Sequence, residues 1–73
     1  EIIVILIMAK IQINGKKVNL KNTISILELV KKYKLTKKAV AIELNGKILP
    51  IAKYRLLLKD KDIVEIVHFI GGG

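Results

Sequence analysis

The sequence contains no cysteine among its 73 residues, and this absence removes two ways of holding a small domain together. Without cysteine the chain has neither a disulfide framework nor a thiolate metal site. A chain of this length buries only about 60% of the surface that its unfolded state exposes. Its stability must therefore come from an apolar core, which the 52% hydrophobic residues can supply.

An apolar run of membrane-spanning length is also missing. The stretch Ile2–Met8 is far shorter than the ~18 residues that a membrane-spanning helix requires. Glu1 stands where a secretory signal would carry a basic residue, and no small-residue cleavage site follows it. We therefore expect no membrane association, and we predict a cytoplasmic protein.

Acidic residues are few: six of them oppose 14 lysines and arginines, and the formal net charge is +8. Such an excess is typical of proteins that bind nucleic acid or an acidic partner surface. Five of the lysines cluster near the end of the predicted helix, at positions 31, 32, 34, 37 and 38. Single-strand binders also present aromatic platforms, and only Tyr33 interrupts this cluster. Nucleic-acid binding is therefore the weaker alternative, and electrostatic steering toward acidic partner proteins is the favoured one.

Residues that could make the chain an enzyme are scarce as well. His68 is the only histidine, and a general base needs a nucleophile or an orienting group within reach. Asp60 and Asp62 offer two carboxylates in a turn, whereas cation-binding loops need more oxygen ligands. We predict that His68 is packed or peripheral, that the chain binds no metal and that it is not itself an enzyme.

Alternation of apolar and polar residues predicts two β-hairpins, at 10–20 and at 40–49. Each contains an Asn-Gly pair, at 14–15 and 45–46, and both residue types tolerate the positive φ of a type I′ turn. We interpret the two Asn-Gly pairs as turn residues and nothing more.

A helix is predicted between the hairpins. Ser25 and Glu28 have the spacing of a capping box, with Thr23 as the competing cap. An apolar stripe follows at i, i+3, i+4 and i+7, formed by Ile26, Leu29, Val30 and Tyr33. We expect the helix to end near Tyr33 or Lys34.

The last strand is predicted at Ile63–Ile70. Glu65, Val67 and Phe69 share the face of this strand that a single helix on the other side of the sheet leaves uncovered. An exposed apolar face commonly marks a partner site. We therefore predict that these three residues form a docking surface for partner proteins.

The two ends of the sequence differ from the middle. Gly71-Gly72-Gly73 brings no side chain to pack, and glycine loses the most backbone entropy on ordering. We predict a flexible glycine tail at 71–73, a folded domain at 9–70, and a disordered or non-native extension at 1–8. Met8-Ala9-Lys10 looks like an ordinary translation start, which favours the last assignment.

These segments together resemble the β-grasp sulfur carrier proteins of the ubiquitin-like superfamily, and among them the ThiS-type carriers of thiamin biosynthesis. The likeness covers residues 9–73 and depends on the order and spacing of the pieces. The matching pieces are 11–15, Thr23-Ile24 with Leu27, 40–46, Pro50 with Tyr54, Asp60-x-Asp62 before 64–66, and the terminal glycines. The chain departs from the family pattern at Tyr54, often tryptophan, and at Lys61, often glycine. Both departures concern local packing.

The resemblance implies an α+β fold, a β-grasp mixed sheet of about five strands with one helix across one face. It also implies a sulfur carrier that serves as co-substrate, with no bound cofactor of its own. A ubiquitin-activating-type adenylyltransferase would use ATP and Mg²⁺ to adenylate the carboxylate of Gly73. Sulfur from a donor such as a cysteine desulfurase would then give a thiocarboxylate, which would supply thiazole synthase. Gly71 and Gly72 would thread the partner's active site.

Other carriers with this architecture remain alternatives. The small subunit of molybdopterin synthase shares the fold and the glycine tail, but such carriers tend to be longer and often have prolines before the tail. His68-Phe69-Ile70 contains none, which favours the thiamin carrier. A carrier for tRNA thiolation and a protein-conjugating modifier stay open.

Overall fold

The computed structural model describes residues 9–68, and all structural statements below refer to this range. Its regular elements form five strands, one helix and one short 3-10 turn. In chain order they are β1 Ala9–Ile13, β2 Lys16–Leu20, α1 Ile26–Lys32, β3 Val40–Leu44, β4 Lys47–Leu49, the 3-10 turn Ile51–Lys53, and β5 Ile63–His68. The predicted extension 1–8 and the tail 71–73 lie outside the described residues, as does the end of the predicted last strand at 69–70.

The five strands form one mixed sheet in the order β2-β1-β5-β3-β4. β5 lies in the centre, parallel to β1 and antiparallel to β3. The two hairpins lie on either side of it. Each turns through an asparagine and a glycine with positive φ, 47° and 84° at Asn14-Gly15 and 53° and 84° at Asn45-Gly46, as a type I′ turn requires. The predicted β-grasp architecture is confirmed.

The helix α1 begins as its capping box predicts. The Oγ of Ser25 accepts a hydrogen bond from the Glu28 amide at 3.1 Å, and the Glu28 carboxylate accepts one from the Ser25 amide at 3.1 Å. Ser25, and not Thr23, is therefore the cap. These two bonds satisfy amides of the first turn that have no partner within the helix.

The helix ends at Lys32 with Tyr33 as its C-cap, which confirms the prediction that it ends near Tyr33 or Lys34. The amide of Leu35 donates to Val30 O at 2.9 Å and that of Lys34 to Lys31 O at 2.9 Å, which is a Schellman motif. Lys34 has φ 58° at the position where glycine is usual. Tyr33 becomes the C-cap and is 44% exposed. Tyr33 therefore stands at the exposed end of the apolar stripe, whose buried members are Ile26, Leu29 and Val30.

The core lies between α1 and one face of the sheet. Ile26, Leu29 and Val30 of the helix pack against inward residues of the strands, of which Ile42 and Val64 are fully buried. The complete buried set is Ala9, Ile11, Ile13, Leu20, Ile26, Leu29, Val30, Val40, Ile42, Tyr54, Leu58, Val64 and Ile66. Within residues 9–68 no helix is both long and apolar enough to cross a membrane.

The segment after β4 closes the end of the core near the start of α1. Tyr54 and Leu58 are buried, and the amides of Ile26 and Leu27 donate to the carbonyls of Leu56 and Tyr54 at 3.0 and 2.8 Å. Two further amides of the helix start are thereby satisfied. Burial raises the pKa of the Tyr54 hydroxyl, and a hydrogen bond with the Ile42 backbone partly offsets this.

Candidate functional site

The central strand β5 is the element that leads toward the terminal glycines. Its last described residue, His68, is the register partner of Val40 on β3. Gly71, Gly72 and Gly73, together with Phe69, lie outside the described residues, so their predicted roles stay predictions. What the structure describes is the body from which this C-terminal segment continues.

On the β1 side, β5 is held by the side chain of Asn14. The backbone pairing of β1 with β5 ends at Ile13 and Val64. Beyond it, the Asn14 amide donates to Val64 O at 2.9 Å, and Oδ1 of Asn14 accepts from the Ile66 amide at 2.7 Å. Nδ2 of Asn14 also donates to Ile66 O, at 3.4 Å. The Asn14 side chain thus extends the hydrogen bonding between β1 and β5 past the point where their backbone pairing ends.

On the β3 side, the side chain and backbone of Asn45 hold the other end of β5. Its Oδ1 accepts from the Ile63 amide at 2.8 Å, and its own amide donates to Ile63 O at 2.7 Å. Nδ2 of Asn45 donates to Oδ1 of Asp62 at 3.0 Å. The interpretation of both Asn-Gly pairs as turn residues and nothing more is therefore wrong. Each asparagine forms its turn and also binds β5.

The two aspartates before β5 tie the preceding loop to the sheet. Asp60 Oδ1 accepts from the Lys10 amide at 2.8 Å, and Asp62 Oδ2 accepts from the Lys59 amide at 2.7 Å. Between them, Lys61 has φ 71° and donates its amide to Lys10 O at 2.7 Å. A positive φ is what glycine adopts without strain, which explains why the resembled family often has glycine here.

The face of the sheet that points away from α1 is called the open face below. On β3, β4 and β5 it comprises Ala41, Glu43, Ile48, Ile63, Glu65 and Val67, and on β1 and β2 the strand registers add Lys10, Gln12, Lys17 and Asn19. Within residues 9–68 no helix covers it, and Ile48 is 74% exposed and Val67 48% exposed. Glu65 and Val67 therefore lie where the docking prediction requires.

Sequence reasoning missed Glu43 and Ile48, which extend the predicted docking surface onto β3 and β4. In the register, Glu43 stands opposite Glu65 on one side and opposite Ile48 on the other. The two-residue Asn-Gly turn fixes the β3–β4 register, so Ile48 could have been assigned to the face of Glu43 from the sequence. The alignment of β3 with β5 could not, because no short turn connects these strands.

On the opposite side of the sheet, His68 is exposed at the rim of a half-open cavity of about 340 Å³. Ile13, Val18, Leu35 and Ile66 contribute its apolar lining. The prediction was that His68 is either packed or peripheral, and the structure shows that it is peripheral.

The basic cluster formed by lysines 31, 32, 34, 37 and 38 is exposed around the end of α1. Its members belong to the helix and the loop that follows it, which lie on the covered side of the sheet. The positive charge of this cluster and the carboxylates of the open face are therefore separated by the sheet itself.

A mixed sheet that clasps one helix, with a central strand running toward terminal glycines, defines the ubiquitin-like β-grasp class. A model of the ThiS family matches residues 5–73 of the sequence. The chain belongs to the ThiS family, and the predicted resemblance is confirmed.

Individual relatives agree with this assignment. The chain is 43% identical over 65 residues to the sulfur carrier protein ThiS of Bacillus subtilis (strain 168), covering 86% of this chain and 98% of that one. It is similar to the crystal structure of the thiamine biosynthesis protein (ThiS) from Geobacter metallireducens, with a TM-score of 0.73 and 31% identity, covering 88% of this chain and 99% of that one.

A third relative is of a different size. The chain is 35% identical over 65 residues to a thiazole synthase from Paramagnetospirillum magneticum. The match covers 88% of this chain but only 20% of that protein. A stretch similar to this whole domain therefore occurs as a small part of a protein named for thiazole synthesis.

Proposed function

We propose that this chain carries sulfur as a thiocarboxylate on Gly73 and delivers it for thiazole formation in thiamin biosynthesis. The observation that supports this best is the position of β5. It is the central strand, held from both edges by Asn14 and Asn45, and it leads toward three glycines that end the sequence. Membership of the ThiS family supports the same function.

The chemistry begins with activation, because a carboxylate is a poor acyl donor. An oxygen of the Gly73 carboxylate attacks the α-phosphorus of Mg²⁺-bound ATP in a ubiquitin-activating-type adenylyltransferase, and pyrophosphate leaves. A persulfide of the sulfur donor, such as a cysteine desulfurase, then attacks the carbonyl carbon and displaces AMP. A thiolate then attacks the donor's sulfur in the resulting acyl disulfide and forms a new disulfide with it, and the thiocarboxylate leaves.

Glycine suits the reacting segment for a steric reason. It has no Cβ and adopts backbone conformations that other residues reach only with strain. In this proposal, Gly71 and Gly72 pass through a channel of the partner that any side chain would obstruct. The chain supplies the acyl group and the partners supply the catalytic residues, so it is a co-substrate.

Thiazole synthase is the proposed sulfur acceptor. Support comes from the Paramagnetospirillum relative, in which a stretch similar to this domain is part of a protein of that name. The open face, with Glu65 and Val67, is the proposed docking surface, and Phe69 is proposed to extend it. The match over nearly the full length of the Bacillus carrier supports thiazole formation over molybdopterin synthesis.

Intact-mass spectrometry tests the proposed function. The chain is incubated with the activating enzyme, ATP, Mg²⁺, cysteine and a cysteine desulfurase. We expect a gain of about 16 Da, since sulfur replaces one oxygen of the activated carboxyl, and fragmentation should place the gain on Gly73. A chain that lacks Gly73 is the matched control and should gain nothing. No gain in the full chain, or an equal gain in the control, would refute the proposal.

A further inference from the structure

Two glutamates occupy directly opposed strand positions on the open face. Glu43 of β3 and Glu65 of β5 are direct register partners in an antiparallel pair. Side chains in such positions have Cβ atoms about 4.5–5.5 Å apart, and like charges placed there destabilise the sheet. The arrangement is unexpected in a chain with 14 basic residues and only six acidic ones.

The other carboxylates of residues 9–68 all have internal partners. Glu28 completes the capping box, Asp60 binds the Lys10 amide and Asp62 binds the Lys59 amide. In the same range, Glu43 and Glu65 accept no hydrogen bond and form no ion pair. Neither carboxylate therefore has a stabilising partner within the described domain. Local conflicts of this kind are expected at functional positions.

The surroundings of the pair are apolar. Ile48 flanks Glu43 across β4, and Ile63 and Val67 flank Glu65 along β5. All three are between 47% and 74% exposed. A partner that covers these side chains would exclude water from the carboxylates between them, and charges interact more strongly where water is excluded. The part of the open face on β3, β4 and β5 thus combines an acidic centre with an apolar rim.

We infer that the open face docks onto a protein surface that presents an arginine to Glu43 and Glu65, with apolar side chains around it. A guanidinium is planar and has five N–H donors, so it can bond two carboxylates at once, whereas a lysine ammonium is a point charge. The inference rests on the proposed function, because the partner is an enzyme that handles the Gly73 carboxylate. It adds the chemistry by which that enzyme recognises the carrier.

The test is the double variant Glu43→Gln/Glu65→Gln, compared with the unchanged chain. Its affinities for the activating enzyme and for thiazole synthase are measured by calorimetry, and its rate of loading on Gly73 by intact mass. We expect at least about tenfold weaker binding to one of the two enzymes, since one side of a buried charged pair is removed. Stability in urea should be unchanged or higher. Loading at saturating carrier concentration should be retained, so that KM and not kcat changes if the activating enzyme is affected.

A second variant controls for net charge. The double substitution raises the net charge from +8 to +10, since two negative charges are lost. Adding Lys21→Gln and Lys47→Gln restores +8 at exposed positions outside the open face. We expect this fourfold variant to remain as weak as the double variant. Recovery of full affinity would overturn the inference in favour of a net-charge effect.

The outcomes separate this inference from the proposed function. If the unchanged chain gains about 16 Da and both enzymes bind the double variant as tightly as the unchanged chain, the inference is wrong and the carrier function stands. If the unchanged chain gains no mass, the carrier function itself is wrong, whatever the variants show.

Discussion

The two faces of β5 differ although their residues alternate along one strand. Val64 and Ile66 point toward α1 and are 0% and 8% exposed, whereas Ile63 and Val67 point away and are 47% and 48% exposed. Successive strand residues face opposite sides of a sheet, so one short sequence serves both. The covered face therefore supplies the buried core, whereas the open face keeps large apolar side chains exposed to solvent.

The largest expected effect is a substitution on the covered face. Ile42→Ala should lower the free energy of unfolding by about 3–4 kcal/mol, because it leaves a cavity at a fully buried position. Ile48→Ala on the open face, at a position 74% exposed, should cost less than about 1 kcal/mol. Urea unfolding followed by circular dichroism measures both. Similar losses for the two variants would break the distinction between the faces.

The two asparagines test whether β5 is held from both edges. Asn14→Gly and Asn45→Gly keep a residue that tolerates the positive φ of each turn, but they remove the side-chain bonds to β5. Each should cost about 1–2 kcal/mol. Amide hydrogen exchange should then accelerate at Ile66 in the first variant and at Ile63 in the second. If neither amide exchanged faster in either variant than in the unchanged chain, the asparagines would act only through their turns.

Replacing either of two lysines by glycine is expected to stabilise the domain. Lys34 and Lys61 have φ of 58° and 71°, where a side chain is strained and glycine is not. Lys34→Gly and Lys61→Gly should each raise the free energy of unfolding by about 0.5–1 kcal/mol. Lys32→Gly inside α1 is the contrasting control and should lower it by about 1 kcal/mol. A loss at all three positions would contradict the strain argument.

The smallest expected effect is a pH dependence of the free energy of unfolding that comes from the buried Tyr54. Burial raises the pKa of Tyr54 above its value in the unfolded chain. The unfolded state therefore loses its proton first, and this contribution to stability is complete below about pH 10 and declines above it. Tyr54→Phe should flatten the alkaline part of the stability curve measured in urea. An unchanged slope in this variant would assign the decline to other groups.

Local sequence patterns were sufficient to predict the helix and the hairpins, and to predict which strand residues face the core. The Asn-Gly pairs located both hairpins, and the spacing of Ser25 and Glu28 located the start of α1, because these signals depend on residues close in sequence. The end of α1 near Tyr33 also followed from the local pattern. The positive φ of Lys34 did not, because glycine is the usual residue at that position and the sequence has a lysine there.

The contacts that the sequence could not predict join distant segments. Asn14 and Ile66 are 52 residues apart, and Glu43 and Glu65 meet only because β3 and β5 are adjacent and in a particular register. Glu65 and Val67 could be placed on an uncovered face from alternation alone. Glu43 and Ile48 required the sheet, because alternation gives the face of a residue but not its neighbour on the next strand.

The central claim is that the Gly73 carboxylate is the group that partner enzymes activate. ATP–pyrophosphate exchange, measured with the activating enzyme in the absence of a sulfur donor, tests it most directly because it reports adenylation alone. We expect exchange that depends on this chain and disappears when Gly73 is deleted. Exchange at the same rate with the shortened chain, or none with the full chain, would contradict it.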